Sequence, residues 1–145
     1  MRVRVDVILW VRADCPYCNA VKPRLEFALR RLGVELITRN MEVMKPIISE
    51  NALIIDPESG EVIDKVGIDA RGLYVTPFLE LRVYGDSGDM LTIMIPGLAR
   101  YAVTESGERV FGLKPAVERY VENITELVRN IISGRGRQTV RITYD

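Results

Sequence analysis

Histidine is absent from this chain, which excludes Cys–His nucleophilic chemistry. Cysteine occurs only twice, at Cys15 and Cys18. A structural zinc ion takes four ligands, so two thiols without an imidazole argue against a zinc site within one chain. A site shared across a dimer stays open. Glutamine occurs once, at Gln138, a scarcity found in heat-adapted proteins. No sign of charge prevails, because 20 basic residues face 20 acidic ones. No net field therefore draws the protein to nucleic acid or anionic lipid. With one Trp, three Phe and no basic cluster, there is also little with which to stack bases, and nucleic acid is not an expected partner. No apolar run approaches the ~20 residues of a membrane span, so no membrane partner is expected. The opening Met1 to Asp6 alternates charge with valine and has no apolar leader core. The expected location is the cytoplasm.

What remains is a globular composition. Apolar residues make up 48% of 145 residues, enough to bury a core in a single domain without staples. The apolar pattern predicts a strand over 3–11, where the continuous run Val7 to Val11 is that of a strand covered on both faces. Val21, Leu25, Ala28, Leu29 and Leu32 recur at helical steps after Pro16, and Gly33 is the expected stop. A second strand over 34–39 completes a β-α-β unit with a right-handed crossover. In 40–74 the pattern allows a short helix around Met41 to Ile48, interrupted by Pro46. It also allows two short strands, Leu53 to Ile55 and Glu61 to Ile63, about a turn at Asp56 to Gly60. Strands at 78–84 and 89–95 alternate about Gly85 to Gly88, the clearest hairpin of the chain. A further hairpin is allowed in 98–112, turning at Glu105 to Glu108. Val117, Val121, Ile124, Leu127, Val128 and Ile131 define the apolar face of a helix over 113–133. The tail 134–145 is a frayed end or a late edge strand.

The two cysteines sit in this frame as Cys15-Pro16-Tyr17-Cys18, between the first strand and the first helix. In a cytosolic chain, a C-x-x-C at that junction points to thiol–disulfide chemistry; two cysteines without a role are the bland alternative. Such chemistry needs one accessible, partly ionised thiol and a second to resolve the mixed disulfide. Pro16 suits the first helical position, which puts Cys15 at the N-cap and the shielded Cys18 one turn below. The helix dipole contributes only about 0.3–1 kcal/mol, whereas one pKa unit requires ~1.4 kcal/mol. Hydrogen bonds to a charged acceptor contribute about 1.5–3 kcal/mol each. The N–H groups of Tyr17 and Cys18 are therefore expected to stabilise the thiolate more than the dipole does. Arg12 would add positive charge, and Asp14 is expected to face water.

These residues resemble the thioredoxin superfamily. Cys15-Pro16-Tyr17-Cys18 followed by Val21-Lys22 is similar to a glutaredoxin active site. Arg12 falls where that family carries a basic residue for the glutathione carboxylate. Pro23 resembles the kink proline of the thioredoxin active-site helix, and Thr76-Pro77 the superfamily's cis-proline loop, which faces the cysteines and pairs with substrate. The resemblance covers residues 3–38 and 75–133 in element order, and it departs from the family at several places, among them a stretch 40–74 longer than a typical member needs and a last helix that begins much later. Leu9 occupies the position of the buried acid that serves the resolving thiol in thioredoxins, leaving Lys22 as the nearest candidate base. Pro96-Gly97-Leu98-Ala99 stands where glutaredoxins carry glycines and a polar residue for glutathione.

The resemblance implies an α/β, thioredoxin-like domain over 1–133, elaborated at about 40–74. Its central mixed sheet would be formed by strands near 3–11, 34–39, 78–84 and 89–95, with helices near 16–32 and 113–133 covering its faces. The implied function is a dithiol–disulfide oxidoreductase acting on protein disulfides. Cys15 and Cys18 would be catalytic, with Pro16, Tyr17 at the rim and Arg12 in support, and Thr76 and Pro77 would bind substrate. A thiol reductase would return electrons, with glutathione as an optional co-substrate, and neither a metal nor a prosthetic group is called for. Three rivals are a glutathione-dependent glutaredoxin, a glutathione-bridged iron–sulfur carrier and a redox-sensing interaction module without turnover.

Overall fold

The structure is a computed structural model, and it describes residues 3–44, 46–47, 52–55, 62–63, 76–85, 88–95, 101–103, 109–111 and 114–133. Strand β1 (Arg4–Val11) carries the apolar run and leads into helix α1 (Pro16–Arg30). Strand β2 (Leu36–Asn40) follows. It pairs in parallel with β1, Val7 opposite Leu36 and Val11 opposite Asn40. The helix ends as Gly33 dictates. The Val34 N–H donates to the Leu29 carbonyl and the Gly33 N–H to the Arg30 carbonyl, both at 3.0 Å. This is the Schellman pattern, and it requires the left-handed φ of 75° that Gly33 adopts.

Strands β3 (Leu53–Ile55) and β4 (Val62–Ile63) form the short antiparallel pair expected within 40–74. Strands β5 (Phe78–Tyr84) and β6 (Met90–Ile95) form the hairpin. β5 pairs antiparallel with β1, from Arg4 opposite Tyr84 to Trp10 opposite Phe78. The α/β sheet is mixed, as expected, but it has six strands rather than four, in the order β2-β1-β5-β6-β3-β4. β3 joins by pairing in parallel with β6, so part of the 40–74 elaboration widens the sheet at its far edge. Strands β7 (Tyr101–Val103) and β8 (Arg109–Phe111) pair as a separate ribbon, and the turn expected between them lies outside the described residues. Helix α2 (Lys114–Ile132) closes the order. The 134–145 tail lies outside the described residues, as do Pro96 to Ala99.

Two expectations need correction. The helices were expected to cover both faces of the sheet, yet both described helices pack on one. Val21, Leu25 and Leu29 of α1 and Val117, Val121, Ile124 and Val128 of α2 share one cluster with Val7, Leu9, Leu79, Leu81 and Ile95. Those sheet residues all point one way, because side chains alternate along a strand. The second correction concerns the helix allowed near 41–48. Met41 to Val43 form a turn instead, with the Val43 and Met44 N–H groups both donating to the Asn40 carbonyl.

The opposite face buries Ile8, Trp10, Met41, Ile54, Phe78 and Met94. Among them lies Glu80, only 3% exposed. A buried carboxylate is costly unless its oxygens are bonded. Here the Trp10 indole N–H donates to one oxygen at 3.0 Å and the Arg82 Nε–H to the other at 2.7 Å. Hydrogen bonding and charge from Glu80 hold the Arg82 guanidinium above its ordinary pKa. Arg39, paired with Trp10 across β1 and β2, lies over the indole ring at 5.8 Å. Removing one partner of a buried pair strands the other charge. Arg82→Ala should therefore cost more stability, roughly 2 kcal/mol, than Glu80→Gln, roughly 1 kcal/mol, because the amide still accepts from Trp10. Urea unfolding followed by fluorescence of Trp10, the only tryptophan, gives both values; the reverse order would refute this account of the face.

Candidate functional site

Strand polarity gathers the site. β1 runs toward Val11 and β2, parallel to it, runs toward Asn40. β5 runs the other way and starts at Phe78, opposite Trp10. The loop that follows β1, the turn that follows β2 and the Thr76–Pro77 segment that precedes β5 are therefore at one end of the sheet. The first carries the cysteines. The Thr76–Pro77 bond is cis, and both residues are buried.

Cys15 is the N-cap of α1, with extended backbone angles, φ −102° and ψ 104°. Pro16 follows at the first helical position, exposed, where its missing N–H leaves nothing unsatisfied. The Cys18 N–H donates to Cys15 Sγ at 3.1 Å. Capping by a side-chain acceptor normally falls to Ser, Asp or Asn oxygen; here a sulfur takes that place at the positive end of the helix. Cys15 and Cys18 are joined in a disulfide, with Cα atoms 5.3 Å apart. The expectation of an exposed first sulfur needs correction: Cys15 is 6% exposed and Cys18 2%. Cys15 remains the more accessible of the two, and Asp14 beside it faces solvent as expected.

Tyr17 is not at the rim. It is 0% exposed and packs in the α1–α2 core with both cysteines. The reason is helical geometry: Tyr17, Val21 and Cys18, Val21, Leu25 share the inward face of α1. Arg12 contributes in two directions. Its carbonyl accepts the Cys15 N–H at 3.3 Å, while its guanidinium reaches Met41 Sδ at 3.7 Å. Lys22, the candidate base, is exposed and lines a groove between α1 and β2 with Glu26, Arg30, Leu36 and Thr38; neither cysteine lines it. Leu9, on the cysteine side of the sheet, is fully buried and apolar. The buried acid Glu80 lies on the opposite face and is no substitute for it.

One contributor escaped the sequence reading. Glu42, in the turn after β2, accepts the Ala13 N–H at 2.9 Å through Oε1. Next to it Val43 and Met44 are exposed apolar side chains. The only available signal was the position of Glu42 just past the end of a strand parallel to β1, which became meaningful once register was known. Among the described residues, no three His, Cys, Asp or Glu side chains converge as a metal site, and no helix is long and apolar enough to cross a membrane.

Compared with known proteins, the chain matches no family model, no curated protein and no solved structure.

Burial pushes the Tyr17 phenol above its ordinary pKa of 10.0. Its neutral form thus favours the fold fully below the unfolded value, and that contribution is lost as pH rises through the raised folded value. Stability of the disulfide form should fall from about pH 10 upward, with Tyr17 adding up to ~1.4 kcal/mol per pH unit to the slope. Tyr17→Phe should flatten that fall in denaturant titrations at alkaline pH. An unchanged slope would remove Tyr17 as its source.

Proposed function

We propose that this protein is a dithiol–disulfide oxidoreductase of thioredoxin-like fold that acts on disulfides of other polypeptides. The observation that carries this reading is the seat of Cys15 Sγ. It lies at the start of α1, accepts the Cys18 N–H and is covalently linked to Cys18. The same N–H donor would stabilise an anionic sulfur once the disulfide is reduced.

In the reduced protein the Cys15 thiolate attacks one sulfur of a substrate disulfide. The substrate S–S bond breaks, one substrate thiolate leaves, and a mixed disulfide forms on Cys15. Cys18 then loses its proton to solvent and attacks the Cys15 sulfur. The second substrate thiolate leaves and takes up a proton. Two electrons have passed to the substrate, and the Cys15–Cys18 disulfide is the product. A thiol reductant closes the cycle by the same exchange. Leu9 has no proton acceptor and Lys22 lines a groove that neither cysteine borders, so water is the proton acceptor in this scheme.

Thr76 and Pro77 arrive at the sheet end where Cys15 emerges, which suits them to line up an extended substrate segment. Protein disulfides are favoured over glutathione adducts for two reasons. The Arg12 guanidinium is directed to Met41 rather than left free for a glutathione carboxylate. Exposed Val43 and Met44 offer apolar contact beside the site, of a kind a polypeptide uses and a small charged tripeptide does not. The cytoplasm, where C-x-x-C pairs cycle rather than persist as staples, is the compartment that fits.

Reduction of a protein disulfide with dithiothreitol as electron source tests the scheme. Cys15→Ser should reduce turnover to the uncatalysed rate. Reduced Cys18→Ser, freed of dithiothreitol and mixed with the substrate, should accumulate a mixed disulfide, seen by mass spectrometry as the protein plus substrate and released when reductant is added. Equal residual turnover in the two variants would sink the proposal.

A further inference from the structure

The three residues between β1 and Cys15 have little apolar contact to hold them. Ala13 and Asp14 are exposed, and Arg12 is only half-buried. Yet the location of Cys15 Sγ over the first turn of α1 depends on where this short loop delivers it. Hydrogen bonds from the turn after β2 supply the constraint. The Met41 N–H donates to the Val11 carbonyl at 2.9 Å, continuing the β1–β2 ladder by one step. The Glu42 N–H donates to Asn40 Oδ1 at 2.7 Å, which fixes the backbone of Glu42 itself. From that fixed backbone the Glu42 carboxylate accepts the Ala13 N–H. The Cys15 N–H completes the loop by donating to the Arg12 carbonyl.

We propose that Glu42 is a positioning residue for the Cys15 sulfur: by accepting the Ala13 N–H, its carboxylate locks the loop that sets Cys15 Sγ against the Cys18 N–H. This rests on the reading of Cys15 as the attacking thiol. The choice of an acid is informative. A negative charge near a thiolate opposes its ionisation, so charge alone would make Glu42 a hindrance. Its contribution is directional, a charge-assisted bond to a backbone donor that has no other partner on its own loop. Met41 and Cys15 hold the loop through backbone atoms; Glu42 is the side chain that a substitution can remove.

The test separates the bond from the charge. Glu42→Gln and Glu42→Ala both remove the charge, but only glutamine keeps an oxygen within reach of Ala13. Each is made in the full-length Cys18→Ser protein, so that one thiol titrates, and thiolate absorbance is followed against pH. The Ala13 amide is followed in parallel by hydrogen exchange. The Ala variant should titrate roughly half to one pH unit above the Gln variant, the shift a three- to tenfold change in ionisation equilibrium produces. The Ala13 amide should be protected in the parent and in the Gln variant, and exchange at least about tenfold faster in the Ala variant. Urea midpoints should match between Gln and Ala, which distinguishes positioning from general loosening. Coincident titrations, an Ala13 amide unprotected in the parent, or an Ala variant whose urea midpoint falls well below that of Gln would each overturn the proposal. None of these readouts requires turnover, so failure of the oxidoreductase scheme would show separately, in the disulfide-reduction assay.

Discussion

The site depends on the pairing of β1 with neighbours of opposite polarity. A parallel partner ends where β1 ends, and an antiparallel partner begins there. With β2 on one side and β5 on the other, three segments distant in sequence must meet at one end of the sheet: 12–15, 41–44 and 76–77. Strand pairing brings them to that end, and side-chain bonds such as that from the Ala13 N–H to Glu42 act within it. The ladders place them, and the ladders are stable because both faces of β1 are buried, Val7 and Leu9 under the helices and Ile8 and Trp10 on the other side. A slip of one residue would exchange these two sets, turning Ile8 and Trp10 toward the helices and parting the Trp10 indole from Glu80.

On this frame the start of α1 holds the two cysteines. An N-cap has backbone donors that the helix cannot satisfy, and Cys15 brings a sulfur to one of them. The magnitudes explain why the location matters more than the dipole. A dipole of about 0.3–1 kcal/mol acts on any group nearby, whereas a hydrogen bond to a charged acceptor acts only when donor and acceptor are aligned. Alignment is a property of the loop, so residues that hold the loop belong to the site as much as the cysteines. The exposed acid Glu42 fits that description. The buried acid Glu80 does not, since Trp10 and Arg82 occupy its oxygens on the far face.

Residues whose role follows from local pattern were legible in advance. The apolar run of β1, the helical steps of α1 and α2, Gly33 as a helix stop and the β5–β6 hairpin each depend on neighbours within a few residues. Cys15 at the N-cap and Pro16 after it were legible for the same reason. Tyr17 was misjudged because a C-x-x-C motif suggests exposure for everything in it, while the step from Tyr17 to Val21 turns the ring inward. The burial of Glu80 was not legible, because it falls between the alternating apolar residues Leu79 and Leu81. The doubly covered β1 held a clue, since its immediate neighbour β5 must have a covered second face as well, but that inference needs the pairing.

By itself, then, the order of residues determined the elements, the sulfur at a strand-to-helix junction and a charge balance that favours no polyanion. These are short-range consequences of periodicity, capping and composition. Tertiary structure alone decided that both described helices share one face, that β3 widens the sheet through β6, and that Glu42 reaches Ala13 across 29 positions of chain. The physical reason is that strand order and register are chosen by the joint burial of two faces, a condition no single segment contains.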